Sequence, residues 1–294
     1  MKKTLFGAVL LVSLLVVSGP APAASKCDTR YPVVLAHGMG ASAEILGIVD
    51  YWWGIEEALE ANGAEVYITS VNGMDSTANK AESFKKQFLQ ILAVSGKEKA
   101  NIIGHSHGTL YTRDAISNLG LADKVSSYTS LAGPHQGSSV ADAIMYGVPG
   151  FLHGVSGQVM DFLYSWVFGD TDPNSLENGW NVTRPYMKNV FNPNTPNVEG
   201  LYYQSWASKA RYSCPSGILQ LTWLYALTQE GSNDGLVSVE SAKWGNFRGV
   251  EDGSWWSPGV DHLNLVNQFF GITPGFDAKG FYVDMVADLK ARGY

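Results

Sequence analysis

The chain has 294 residues, a formal net charge of −7, and 16% charged against 12% aromatic residues. The acidic balance argues against nucleic acid as a partner, and the length is enough for a large α/β core. So low a charge content fits a protein with sizeable apolar surface.

Lys2 and Lys3, an apolar run from Leu5 to Val17, and Ala21-Pro22-Ala23 read in order as a secretory signal peptide over residues 1–23. The run is too short to span a bilayer comfortably, and no later stretch reads as a transmembrane segment. Residues 24–294 are then expected to be a single secreted α/β domain. Cys27 and Cys214 both fall in the exported part. An even count in an oxidising compartment predicts a disulfide between them. In the chain-entropy model such a bridge is worth about 3–5 kcal/mol.

The first element is an apolar run with β-branched residues, Tyr31 to Ala36, which predicts a buried strand ending in His37-Gly38-Met39-Gly40. Trp53 to Asn62 predicts a helix stopped by Gly63. Ala64 to Val71 reads as a second strand, and Lys80 to Ser95 as a helix with Phe84, Phe88, Ile91 and Leu92 at helical spacing. Ala100 to Ile103 is a third strand, and Thr109 opens a helix running to about Leu119. A fourth strand, Val125 to Ala132, ends in Gly133-Pro134-His135-Gln136-Gly137. This alternation predicts a mostly parallel sheet with helices on both faces.

The pattern breaks over residues 138–186, where glycines interrupt often and Gln158 to Phe168 is almost wholly apolar. That composition predicts a helical lid opening onto lipid. Asn181-Val182-Thr183 matches a glycosylation sequon, a pattern common by chance. Gly200 to Ala207 and Ile218 to Leu227 read as strands, the second leading into the turn-rich loop Gly231 to Gly235. Leu263 to Phe270 looks helical, and a helix from about Lys279 to Ala291 closes the chain.

Between the third strand and its helix stands Gly104-His105-Ser106-His107-Gly108, a G-x-S-x-G pattern in the strand–turn–helix context of a nucleophile elbow. A serine hydroxyl is a weak nucleophile, so Ser106 needs a base in reach and a carboxylate to orient that base. In doubly wound hydrolases these follow in the order serine, acid, histidine. Of six histidines, only His262 follows every plausible acid loop. Asp234 is the best-placed acid, with Glu230 its nearest rival; Asp261 adjoins the base and cannot readily fold back to its ring. An oxyanion also needs backbone N–H donors. His107, after the nucleophile, and Met39, in the glycine turn after the first strand, are expected to supply them.

Together with Pro134-His135-Gln136-Gly137-Ser138, Tyr203-Gln204-Ser205-Trp206, Asn233-Asp234-Gly235-Leu236-Val237 and Asp261-His262-Leu263-Asn264, these motifs resemble the secreted bacterial triacylglycerol lipases of the Pseudomonas/Burkholderia type. The resemblance runs from about Tyr31 to the C-terminus. It implies an α/β-hydrolase fold with a helical lid, a triad of Ser106, Asp234 and His262, and an oxyanion hole from Met39 and His107. It also implies long-chain acylglycerol as substrate at an oil–water interface, and raises a secretion foldase as a partner. No cofactor is needed for the chemistry. Lipases of this type hold a structural calcium beside the catalytic histidine, through two aspartates, a glutamine and a carbonyl. Here Asn264, Gln268 and Ile272 match only part of that set, and no acidic residue lies between Ser205 and Gln229. The family's usual disulfide brackets the catalytic acid, a placement that Cys27 and Cys214 do not share. Short-chain esters, phospholipids or polyesters are the alternative substrates, and a non-catalytic binding module is the alternative outside enzymes.

Overall fold

A computed structural model describes residues 25–39, 44–45, 49–147 and 175–294. The signal peptide read over residues 1–23, the lid helix read over Gln158 to Phe168, and His153 lie outside the described residues.

The apolar runs become the strands β1 (Val33–Ala36), β4 (Val66–Thr69), β5 (Ala100–His105), β6 (Val125–Leu131), β7 (Tyr202–Ser208) and β8 (Asn246–Glu251). They form one six-stranded sheet in the order β4-β1-β5-β6-β7-β8. Every neighbouring pair is parallel. Two short strands, β2 (Glu44–Ile45) and β3 (Val49–Asp50), pair antiparallel beside it. All residues of β1 and β5 are buried. Strands covered on both faces lose the alternation of an exposed sheet and read as continuous apolar runs.

Successive side chains of a strand point to opposite faces, and the core divides accordingly. Val33, Leu35 and Ile103 pack with Leu59 of α1 (Ile55–Ala61) and with Tyr282 and Val286 of the C-terminal helix Ala278–Ala291. Val34, Ala36 and Ile102 pack with Phe84 and Phe88 of α2 (Thr77–Ser95) and with Tyr111 of α3 (Gly108–Asn118). The α2 helix begins where Ser76 caps the Asn79 N–H and ends at Gly96, which adopts the left-handed conformation that stops a helix. Its buried stripe is Thr77, Lys80, Ala81, Phe84, Phe88 and Leu92. Removing a ring such as that of Phe88 from this stripe would cost about 3–5 kcal/mol. A third cluster joins α4 (Ser139–Met145) to the helix Gln220–Glu230 and includes Met39 and Leu110.

The structure corrects several sequence expectations. Residues 218–227, read as a strand, lie largely in the helix Gln220–Glu230. Leu219, Thr222, Trp223 and Ala226 are buried while Leu224 and Leu227 are exposed, which is a helical period. A run apolar on both sides hides that period, because a short apolar run suits either element. The strand β8 went unread, since its residues are exposed or half-buried and carry no apolar run. Leu263 to Phe270 contains only the short turn of 3₁₀ helix Asn264–Val266.

The expected disulfide is not formed. Cys27 and Cys214 are free and buried, in different core clusters. Each thiol faces a carbonyl instead, that of Val283 for Cys27 and that of Leu219 for Cys214. Parity of cysteines predicts a bridge only where the fold brings them together. The sequon asparagine, Asn181, is 2% exposed and accepts the Thr77 N–H, so it is packed as a structural residue.

Candidate active site

The strand order reverses at β1. The chain goes outward to β4 on one side and returns to β5 on the other. In open parallel sheets the crevice at such a switch, at the carboxyl ends of the strands, is where ligands bind. Ala36 at the end of β1 is in register with Gly104 of β5, so the turns leaving the two strands meet there.

Ser106 occupies that point with φ of +55°, a left-handed conformation that costs a non-glycine residue of order 1–3 kcal/mol. The conformation persists because the surroundings fix it. Ser106 N–H donates to the Leu131 carbonyl of β6, and Thr109 N–H donates to the Ser106 carbonyl. The two flanking glycines are required by close approach. A Cβ on Gly104 would lie 3.0 Å from the Gly108 carbonyl, and one on Gly108 would collide with the Ala36 carbonyl oxygen. From the other turn, a Cβ on Gly38 would lie 2.8 Å from Ser106 Cβ. The glycine turn therefore lies directly against the serine.

His262 Nδ1 donates to Asp234 Oδ2 at 2.8 Å, and both residues are at most 2% exposed. The backbone joins them as well, because His262 N–H donates to the Asp234 carbonyl. Asp234 is fully engaged. Ser208 Oγ donates to the same Oδ2 at 3.1 Å, and the Leu236 and Val237 N–H groups donate to Oδ1 at 3.0 and 2.8 Å. The other nitrogen, His262 Nε2, is buried and makes no hydrogen bond. The His262 ring lies 4.6 Å, centroid to centroid, from that of His105, the residue before Ser106. The imidazole is thus set against the elbow with one nitrogen held by a carboxylate and the other unpaired.

His107 begins α3 with helical backbone angles, so its N–H lies at the positive end of the helix dipole. Met39 is buried in the turn after β1, and its side chain belongs to the core cluster that includes Leu110. Three residues around this region gave no separate signal in the sequence. Tyr51 Oη accepts the Gly38 N–H at 2.9 Å and donates to His105 Nδ1 at 2.6 Å, tying the glycine turn to the elbow. Lys80 is 1% exposed, and its Nζ donates to His107 Nδ1 and to Asn178 Oδ1, each at 2.8 Å. Thr77 Oγ1 accepts from His107 Nε2 at 2.7 Å. Burial holds the Lys80 amine well below its ordinary range, and the His107 imidazole likewise, with Lys80 adding to the effect. The available clue was Lys80's place on the same helical stripe as Phe84 and Phe88.

The remaining described histidines are held elsewhere. His37 Nε2 accepts the Val71 N–H, and burial lowers its ring to about 4. His135 bridges Arg113 and Ser130. Glu230, the rival acid, accepts the Ser139 N–H at the start of α4 and does not meet His262. Asp261 accepts the N–H groups of Leu263, Asn264 and Ser216. Of the positions matched to the calcium site, Asn264 Nδ2 donates to the Gln268 carbonyl at 2.7 Å and to the Ile272 carbonyl at 3.4 Å.

The model of the alpha/beta hydrolase fold family matches residues 31–244. A triacylglycerol lipase of Vibrio cholerae is 31% identical over 293 residues, covering 90% of this chain and 89% of that protein. A triacylglycerol lipase of Burkholderia plantarii is 37% identical over a shorter stretch, 42% of this chain and 36% of that one. Among solved structures, a Staphylococcus hyicus lipase superposes with a TM-score of 0.64 at 17% identity, over 90% of this chain and 98% of the other. The mature form of a Bacillus licheniformis lipase gives 0.66 at 18% identity, over 92% and 95%.

Proposed function

The chain belongs to the alpha/beta hydrolase family and is an ester hydrolase, and on that premise we propose that it hydrolyses long-chain triacylglycerols at a lipid–water interface. In this reading Ser106 is the nucleophile, His262 the base, Asp234 the orienting acid, and the N–H groups of Met39 and His107 the oxyanion donors. The observation that carries it is the His262 imidazole, bound at Nδ1 by Asp234 and bare at Nε2 beside the elbow. Asp234 fixes the proton on Nδ1, so Nε2 presents its lone pair to the serine proton. Ser106 Oγ attacks the ester carbonyl as that proton passes to Nε2. The oxyanion forms against the two backbone N–H groups. His262 then protonates the departing glycerol oxygen, and the acyl-serine forms. Water repeats the sequence from the other side, releasing the fatty acid and restoring Ser106. Each oxyanion donor is worth roughly 3–4 kcal/mol to the transition state.

Exposed apolar side chains support a lipid substrate. Tyr146 and Trp180, on the two sides of residues 148–174, stack edge to face at 5.1 Å, and both are exposed. Leu176, Leu224 and Leu227 are exposed as well, and the helices that carry them pack against α4. Exposed apolar side chains of this kind suit contact with acyl chains. In this reading the signal peptide expected over residues 1–23 directs the enzyme out of the cell.

Turnover of emulsified triolein against soluble short-chain esters tests the substrate. Preference for the emulsion is expected, and preference for the soluble esters or for phospholipid vesicles would overturn it. An active-site-directed phosphonate tests the chemistry. It should label Ser106 in the folded protein, and a folded chain that stays unlabelled would exclude Ser106 as the nucleophile.

A further inference from the structure

The resemblance to Pseudomonas/Burkholderia-type lipases implies a calcium ion beside His262, and the donor set around that residue can be tested for it. Calcium takes six to eight oxygen ligands, with carboxylates supplying the charge. Position 264 carries an amide, and its Nδ2 group points at the carbonyl oxygens of Gln268 and Ile272. The two carbonyls that would face a cation therefore face an N–H donor. Among the described residues, no group of three histidine, cysteine, aspartate or glutamate side chains could hold a metal ion. Asn264 Oδ1 and Gln268 Oε1 are buried without a partner, but both are neutral amide oxygens and bring no charge. The residues present do not fit calcium.

What replaces the ion can be read from the same bonds. A metal would join three things: the residue two beyond the histidine, the carbonyls of the loop that follows, and a segment between Ser205 and Gln229. Asn264 makes the first link directly, because one amide has two N–H bonds to offer two carbonyls. Asp261 makes the second. Its Oδ2 accepts the Ser216 N–H at 2.8 Å, while Oδ1 accepts the Leu263 and Asn264 N–H groups. The carboxylate thus stands on the other side of His262 from the family's position and reaches the far segment itself. Asn264 and Asp261 are 1% and 0% exposed. A carboxylate at 264 without a metal would face two carbonyl oxygens, which repel it; an amide attracts them.

We propose that the Asn264 amide and the Asp261 carboxylate do the work of the calcium ion, acting as positioning residues that hold the His262 loop and make this enzyme independent of the metal. The inference goes beyond the assignment of the substrate, and its stability arm does not depend on that assignment.

The test uses the full chain. Its melting temperature should be the same in chelator and in millimolar calcium; a rise with calcium, or a fall with chelator, would overturn the proposal. In chelator, Asn264→Ala and Asn264→Asp should each melt several degrees lower. Wild-type melting in both would show that the amide holds nothing. Asp261→Asn should also melt lower, by loosening the Ser216 link, and wild-type melting there would remove Asp261 from the proposal. Turnover per phosphonate-titrated site separates positioning from bulk stability. It should fall at least tenfold in kcat with KM kept in the Asn264 variants, and unchanged kcat per titrated site would end the positioning role. A chain that never reacts with the phosphonate counts against Ser106 as nucleophile, whereas the melting arms test the amide link alone.

Discussion

Asp234→Asn is the substitution whose effect follows most directly from the bonds. The asparagine has nearly the same shape, and its amide orientation is not free. The Leu236 and Val237 N–H groups both donate to Oδ1, so that position must stay an oxygen. The NH2 group is then forced into the Oδ2 position, facing His262 Nδ1 and Ser208 Oγ. An NH2 group donates, so His262 must accept at Nδ1 and carry its proton on Nε2. That tautomer has no lone pair for the Ser106 proton. The expected fall in kcat is about 10⁴-fold, or roughly 5 kcal/mol of transition-state stabilisation, as for a triad frozen in the wrong tautomer. Folding should change little, because both backbone bonds to Oδ1 survive. The assay is turnover of a chromogenic ester, with the melting temperature as control. A loss of less than tenfold in a normally folded variant would refute the assigned role of Asp234.

Ser106→Ala should abolish turnover and phosphonate labelling while the chain stays folded, as checked by circular dichroism. Lys80→Met leaves His107 Nδ1 and Asn178 Oδ1 without their shared donor, so a loss of roughly 1–3 kcal/mol in chemical denaturation is expected, with kcat falling more than KM rises. Stability should also decline in acid. Burial lowers His37 to about 4 and holds His105, His107 and His135 well below the usual value, so the unfolded chain binds more protons than the folded one below about pH 6.5. The stability contributed by these histidines is then complete above that pH and is lost as pH drops, each contributing up to about 1.4 kcal/mol per pH unit; a denaturation midpoint unchanged between pH 7 and 5 would contradict this. Neither thiol should react with a thiol reagent until the chain unfolds, because both are buried and burial raises both, and reductant should leave the melting temperature unchanged.

How much could be read in advance depended on how local each feature is. The elbow is contained in five residues, so the pattern alone located it, although only Gly104 is demanded by contacts within the turn and Gly108 is demanded by the carbonyl of Ala36 in β1. The grouping of His262 with Asp234 was reached by elimination and chain order, although the element before the acid loop was taken for a strand. That error has a physical source. Residues 218–227 are apolar on the outward side as well, where Leu224 and Leu227 lie exposed, so no helical period stands out. Tyr51, Ser208 and Lys80 were silent for a different reason. Each reaches the site from a separate segment, through side-chain hydrogen bonds to residues distant in sequence that no local spacing encodes. The cysteines failed in the same way, since whether two thiols meet is decided by packing.

The turn after β1 and the elbow after β5 lie in distant parts of the chain, and only the pairing of β1 with β5 brings them into contact. A collapsed intermediate could therefore carry Ser106, His262 and Asp234 and still lack half of the proposed anion hole. Shifting β1 by one residue would turn its side chains to the opposite faces of the sheet, and the glycine turn would no longer lie over the serine. On refolding, recovered activity should accordingly trail recovered helix content and arrive with closure of this one long-range ladder. The catalytic rate then serves as a clock for strand registration at the centre of the sheet.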